Sequence, residues 1–438
     1  VPIARVRAAL SSPVFREVAV TYSGQLVGSG IGFLIQILLQ RKLGSADYGL
    51  LALAGSVGML TAVATDLGLS HAMVRFASRD LAEGRVDRAM AAFAAAFWVR
   101  MGLAAVVAVV GFASAGLVAV QVFDKPDLAG PLAWQFLGVF AGTAYGYWVF
   151  FIQSWQRFKL RSLVQVLLAL GKLLAFGVMW LFNVLTPSTA IMLDMGVSAV
   201  GFVAGMAVSP RGLFSVPRTA WVDSARGDLL PWCRYTGIML LGDVIFNELD
   251  TFMLGIYSSE HVVGVYRCAW TYAMVLGFLN NSVSSVLFPK VTAIGNDAEL
   301  KSFMRTIVRL TSVLGIATIP VLPFLTWWIP YYDVKYAEAV PVFYLMYVGI
   351  VFELVVGPLH YALYTLERPQ FLVANAFAKI ALNGAANLVL IPTYGAFGAA
   401  AATIGTRIFG GLLTLWYIRR VLHARARARG DAPPSGTP

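Results

Sequence analysis

Apolar runs of about 20 residues recur from Val18 to Trp416, separated by short breaks of charged residues, proline and glycine. An α-helix rises about 1.5 Å per residue and a hydrocarbon core is about 30 Å thick, so each run is long enough to cross a bilayer once. The pattern predicts spans near 18–40, 49–72, 90–118, 131–153, 162–184 and 188–208, then near 232–256, 262–287, 308–330, 340–365, 370–391 and 396–418. The expected fold class is all-α: a polytopic membrane protein of about 12 transmembrane helices in two six-helix lobes. The expected division is an N-terminal lobe over 1–208, a cytoplasmic connector over 209–231 marked by Pro210, Pro217 and Pro231, a C-terminal lobe over 232–420, and a disordered basic tail over 421–438.

The two halves echo one another. Leu43-Gly44 follows the first span and Leu254-Gly255 the seventh, while Tyr22-Ser23-Gly24 and Tyr235-Thr236-Gly237 align at a slightly different offset, which a small insertion explains. Because each half has an even number of spans, both enter the membrane in the same direction, a parallel repeat. Transporters built this way hold their substrate between halves that rock alternately open.

Composition agrees with lipid as the main solvent: 59% of the 438 residues are hydrophobic and 13% charged. The net charge of +11 is dispersed among short loops rather than gathered in one patch, so it points to topology and anionic lipid head groups, not to nucleic acid. With both termini cytoplasmic, 24 of the 33 Lys and Arg lie on the cytoplasmic side, only Arg41, Lys42, Lys125 and Lys335 lie opposite, and five fall within spans. The first apolar run leads directly into Arg41-Lys42 and a second span, so it reads as a retained helix. Cys233 and Cys268 read as packing residues, and the four scattered histidines have no ligand spacing. No cofactor is called for.

The charges inside the spans are the candidate chemistry. A charge at a helix centre costs about 2.5–3.5 kcal/mol on insertion scales. Here there are five cations, Arg100, Lys172, Arg267, Lys379 and Arg407, and six carboxylates, Asp66, Asp194, Asp243, Glu248, Asp250 and Glu353. Eleven such groups are more than structural pairing is expected to absorb. Asp243, Asn247 and Asp250 fall on one face of span seven, Arg267, Thr271, Asn281 and Ser285 on one face of span eight, and Gln36 on a polar stripe of span one. Lys172 and Lys379 sit at matching midplane depth in spans five and eleven, with Arg100 and Arg407 at similar depth. Paired midplane cations suit an anionic cargo such as a phosphate. The expected substrate-binding set is thus Lys172, Lys379, Arg100, Arg407, Arg267, Gln36, Asn247 and Asn281, with Asp66, Asp243, Asp250 and Glu353 as cavity or coupling carboxylates. Each cation has the alternative of neutralising a carboxylate.

The stretch Gln40-Arg41-Lys42-Leu43-Gly44-Ser45-Ala46-Asp47-Tyr48-Gly49-Leu50-Leu51-Ala52, with Asp66-Leu67-Gly68-Leu69-Ser70 and Val74-Arg75-Phe76, resembles the opening of bacterial oligosaccharide and polysaccharide flippases. These belong to the multidrug/oligosaccharidyl-lipid/polysaccharide exporter superfamily. Val263-Gly264-Val265-Tyr266 and the run from Ile391 to Ala400 extend the resemblance over nearly the whole chain. It implies a flippase in the bacterial inner membrane that carries an undecaprenyl-pyrophosphate-linked oligosaccharide to the periplasmic leaflet. The partners it implies are that lipid-linked glycan, membrane lipids, and a polysaccharide polymerase and glycosyltransferases of the same pathway. A cation-coupled small-molecule exporter of the same superfamily remains the alternative, and a membrane glycan polymerase or glycosyltransferase a further one. No phosphate loop, metal cluster or nucleophile-base arrangement argues for an enzyme.

Overall fold

The computed structural model describes residues 13–207, 209, 212–292, 294, 296–332, 334–368 and 370–428. Among these, side chains are described except at 13–22, 235, 278, 281–282, 284–286, 288–289, 292, 321, 330–332, 334 and 428. The described residues form helices and connections only. In chain order the long ones are α1 (Pro13–Asp66), α2 (Leu69–Ala82), α3 (Val86–Gln121), α4 (Ala129–Ser154), α5 (Phe158–Leu181), α6 (Pro187–Ala207), α7 (Leu230–Tyr257), α8 (Glu260–Thr292), α9 (Asp297–Ala317), α10 (Val321–Tyr332), α11 (Ala339–Val356) and α12 (Gln370–Ala428). Seven stretches among the described residues are long and apolar enough to cross a membrane, nine when two bent helix pairs each count as one span. Two of the seven carry a left-handed break, at Gly44 (φ 75°) and at Gly395 (φ 54°), where glycine reverses the chain without a loop. The chain is a multi-pass, all-α membrane protein. Its surface carries many exposed large apolar side chains, Leu174 and Val109 among them, as lipid contact requires.

Four boundaries differ from the sequence reading, each for a local reason. The second span ends at Asp66, because Leu67 and Gly68 both take positive φ and α2 starts afresh. Helix α9 begins eleven residues before the expected ninth span: Asn296 caps it by accepting from the Glu299 amide at 2.7 Å. It stops near Pro320, which has no amide to continue the ladder. The expected connector is not a bare linker, since Arg218–Ser224 and Ala225–Leu229 are helical and lead straight into α7. The tail expected to be disordered from 421 is helical to Ala428, as alternating alanine and arginine, both strong helix formers, allow. Residues 429–438 lie outside the described residues.

Two compact units divide the chain, Val1–Val244 and Ile245–Pro438, so the seam falls inside α7 and not in the 209–231 segment. In the first unit an alanine-rich stretch of α3 lets helices approach closely around Phe93, Tyr147, Trp148 and Phe151, with Phe93 and Phe151 rings 4.5 Å apart. Leu213, Ala225, Leu229 and Cys233 join the same core, which is why the segment before α7 is ordered. In the second unit Leu300, Ile307, Leu359, Leu363, Ile418 and Leu422 form a core from α9, α12 and the short turns before α12.

Candidate functional site

The residues expected to line a polar path occupy several distinct environments. Asp66 does two jobs at the end of α1: Oδ1 accepts from the Ser70 amide at 3.1 Å and from the Ser70 hydroxyl at 2.5 Å, and lies 3.2 Å from Arg100 Nε. Arg100 is almost fully buried, yet its Nε and Nη1 lie off the line of any hydrogen bond, so this ion pair is only partly satisfied. The Asp66-Leu67-Gly68-Leu69-Ser70 motif is thus a helix reversal with its own cap. A Cβ on Gly68 would stand 2.4 Å from Thr236 Oγ1, and one on Gly237 2.6 Å from the Leu67 carbonyl oxygen. The turn therefore needs glycine at 68 twice over, for its φ and for its contact with Thr236-Gly237. Nearby, Arg75 stacks 3.9 Å over the Trp232 ring.

Gln36 is also spoken for. The buried Tyr48 hydroxyl donates to Gln36 Oε1 at 3.0 Å and accepts from Gln40 Nε2 at 3.1 Å, which ties the helices on either side of the Gly44 break. Lys172 on α5 pairs with Asp194 on α6. In the second unit Arg267 Nη1 lies 3.3 Å from Glu248 Oε2, and Arg407 Nη1 lies 4.0 Å from Glu353 Oε2. Four of the five cations within the spans, Arg100, Lys172, Arg267 and Arg407, therefore stand beside a carboxylate. For these four the alternative of neutralising a carboxylate is the arrangement seen, because adjacent helices bring opposite charges to the same depth. Asn281 lies outside the described side chains.

The stripe of Asp243, Asn247 and Asp250 does not share one environment. Asp243 is exposed and Asn247 half-buried, whereas Asp250 is sealed at 2% exposure. Around Asp250 four stretches of helix converge. Tyr266 of α8 donates to Oδ2 at 2.5 Å, Asn387 Nδ2 donates to Oδ1 at 2.7 Å, and the Thr403 hydroxyl donates to Oδ2. Asn387 Nδ2 also donates to Asn383 Oδ1 at 3.1 Å, and Asn383 Nδ2 to Thr403 Oγ1 at 3.0 Å. Asp250 makes no ion pair among the described residues, and the buried Asn387 Oδ1 accepts no hydrogen bond there.

Asn375, Lys379, Asn383 and Asn387 recur every four residues, so they form one polar stripe along the first part of α12. Across the Gly395 break it meets a second stripe. Asn375 Nδ2 donates to Thr414 Oγ1 at 3.1 Å, and the Lys379 stem lies where a Cβ on Gly410 would stand 2.6 Å from its Cδ. Lys379 Nζ and the Arg407 guanidinium both approach the Phe246 ring, at 5.0 and 5.4 Å. Tyr266, Asn383, Asn387 and Thr403 were missed in the sequence; the four-residue spacing around Lys379 was the signal for the two asparagines.

Relatives agree with this architecture. A probable flippase of Haloferax volcanii, AglR, is 28% identical over 200 residues, 44% of this chain and 42% of that protein. Agl15 of the same organism, a probable low-salt glycan biosynthesis flippase, is 21% identical over 219 residues, 48% and 46% of the two chains. The chain thus spans less than half the length of either named relative. An uncharacterized membrane protein of Methanocaldococcus jannaschii, MJ1068, is 22% identical over 417 residues, 90% of this chain and 81% of that one. Among solved structures, the lipid II flippase MurJ in an inward closed conformation superposes with a TM-score of 0.67 at 13% identity, covering 93% of this chain and 89% of MurJ. An inward-facing multidrug resistance transporter of the MATE family, itself of the MOP superfamily, gives 0.68 at 13% identity, covering 91% and 98%. At such identities these two establish the fold alone. Residues 14–294 match the sequence profile of one family, and on that match, which covers well over half of its length, the chain belongs to the polysaccharide biosynthesis protein family.

Proposed function

We propose that the chain is a flippase that moves a lipid-linked oligosaccharide, carried on undecaprenyl pyrophosphate in a bacterial inner membrane, from the cytoplasmic to the outer leaflet by alternating access. The observation that carries this reading is the meeting of Lys379 and Arg407 over Phe246, with Glu353 beside Arg407. Two cations at midspan depth attract an anionic group that has left water, and a pyrophosphate supplies both the charge and the acceptor oxygens. Arg100, with two nitrogens that lack hydrogen-bond partners, offers a second anion contact in the first unit. The family, and the flippases AglR and Agl15 among its relatives, support the glycan as cargo.

Asp250 is the carboxylate best placed to couple that movement to a gradient. A buried carboxylate with only neutral donors around it is costly unless it holds a proton or a small cation. The exporter reading keeps one support, since the MATE fold fits as well as that of MurJ. One experiment tests both: the purified chain in proteoliposomes is given a fluorescent polyprenyl-pyrophosphate glycan or a cationic dye. Flipping of the first with no transport of the second is the expected result, and the opposite outcome overturns the proposal.

A further inference from the structure

In the second unit a groove of about 440 Å3 opens between α9 and the last turns of α12. Its floor is apolar, built from Met304, Val308, Leu415 and Ile418 among others, and its rim is basic: Lys301, Arg305 and Arg309 from α9 and Arg419 from α12, with His423 beside them. No acidic side chain lines it among the described residues, and His423, whose Nδ1 bonds the Arg419 carbonyl at 2.7 Å, is the one neutral hydrogen-bonding side chain there. The three α9 cations fall at i, i+4 and i+8, stacked on one face, where like charges oppose the helix. Lys301, Arg305, Arg309 and Arg419 make no ion pair among the described residues. The neighbouring acids are engaged elsewhere, Asp297 with Arg425 at 3.5 Å and Glu299 with Asn296 at 3.1 Å.

We propose that this groove binds one anionic phospholipid, its phosphate held among Arg305, Arg309 and Arg419 and its acyl chains laid over the apolar floor. Charge complementarity selects the occupant. Planar guanidinium groups match phosphate oxygens, and the stacked exposed cations favour a counter-anion over the like charges beside them. The lining has no carboxylate or amide among the described residues to accept from the hydroxyl groups of a glycan, while its apolar floor suits acyl chains. The groove lies at the end of the second unit to which the basic-residue asymmetry assigns the cytoplasm, where anionic lipid is abundant. Basic residues near a membrane surface are common as topology signals. The rim differs in being set around an apolar cavity.

Native mass spectrometry of the full chain, released from detergent micelles containing phosphatidylglycerol or phosphatidylcholine, tests this without any transport reading. The wild type should retain one phosphatidylglycerol and no phosphatidylcholine. The variant Arg305→Gln/Arg309→Gln/Arg419→Gln should lose affinity about a hundredfold. A control with as many charges removed from exposed sites elsewhere, Arg157→Gln/Lys159→Gln/Arg218→Gln, should retain the lipid. Val308→Trp, which fills the floor and keeps the rim, should also weaken retention, so the proposal survives misfolding of one variant. Equal retention of both lipids, or equal loss in the control, overturns it. Displacement of phosphatidylglycerol by an equimolar polyprenyl phosphate also overturns it, by assigning the groove to the carrier lipid.

Discussion

Asn387 Nδ2 donates to Asp250 Oδ1 at 2.7 Å, joining two residues 137 positions apart in sequence at the centre of a network closed to solvent. The Asp250 carboxyl is therefore held by hydrogen bonds, with no ion pair among the described residues. Asp250→Asn preserves the shape and removes the group that can bind and release a proton or cation. The variant should insert and fold normally, yet flip its cargo at a rate that no longer responds to an imposed proton or sodium gradient in proteoliposomes. A gradient response equal to wild type would remove Asp250 from the coupling mechanism.

For Lys379 the expected order of flipping is wild type, then Lys379→Arg, with Lys379→Ala and Lys379→Gln inactive, because charge is the property in use. Gly410→Ala provides an independent test, since its new methyl would press on the Lys379 stem. It should reduce flipping while leaving every charge in place. Activity of Lys379→Ala at wild-type protein level would rule the lysine out as an anion contact. For Lys172, which pairs with Asp194, the structural account predicts that Lys172→Ala lowers the amount of folded protein and that adding Asp194→Asn restores it.

Arg100→Leu leaves Asp66 without its cation and should destabilise the protein by about 3–5 kcal/mol, the usual cost of breaking a buried pair from one side. Asp66→Asn in the same chain should recover much of that loss, because an amide oxygen still accepts from Ser70 and no charge remains. Thermal unfolding in mild detergent reads both. If the double variant is no more stable than Arg100→Leu alone, the pair is not what holds this junction.

Gly68→Ala should cost about 1–3 kcal/mol for the left-handed backbone alone, and more for the collision with Thr236. Adding Thr236→Gly should relieve only the second part. Full recovery in the double variant would mean that the backbone conformation at 68 is unstrained.

Orientation is tested by labelling with a membrane-impermeant thiol reagent in intact cells. The native Cys233 and Cys268 are buried and should react little. Asp127→Cys should label from outside and Asp223→Cys should not. The reverse pattern would invert the topology.

The spans were legible because a 30 Å hydrocarbon layer imposes one length on every crossing, and the family was legible from Asp66-Leu67-Gly68-Leu69-Ser70 and its neighbours. The role of that motif was not, since whether an aspartate caps a helix or faces a cavity depends on where the chain turns, and Leu67 gives no sign of its positive φ. The site was half legible. Lys379 and Asp250 stood out as charges in apolar runs, but a helical wheel placed Asp243 and Asp250 together and could not show that one would be exposed and the other sealed by Thr403, from 153 positions further on. Pairings such as Lys172 with Asp194 depend on depth to within a turn, finer than span boundaries can be read from hydropathy.

The contact of Leu67 and Gly68 with Thr236 and Gly237 bears on the order of synthesis. Six spans have been synthesised by residue 208, but the core they form still lacks Leu229, Cys233 and the Thr236-Gly237 turn contact. At translation rates of about 5–20 residues per second, those last 29 or so residues arrive about 1.5–6 s later. During that interval the first unit waits in the membrane with one side of its packing unfilled, and a chain cut at 208 would be left in that state. The closing wedge of the first unit is thus the opening segment of the seventh span, and insertion of the second half of the protein begins with the step that finishes the first.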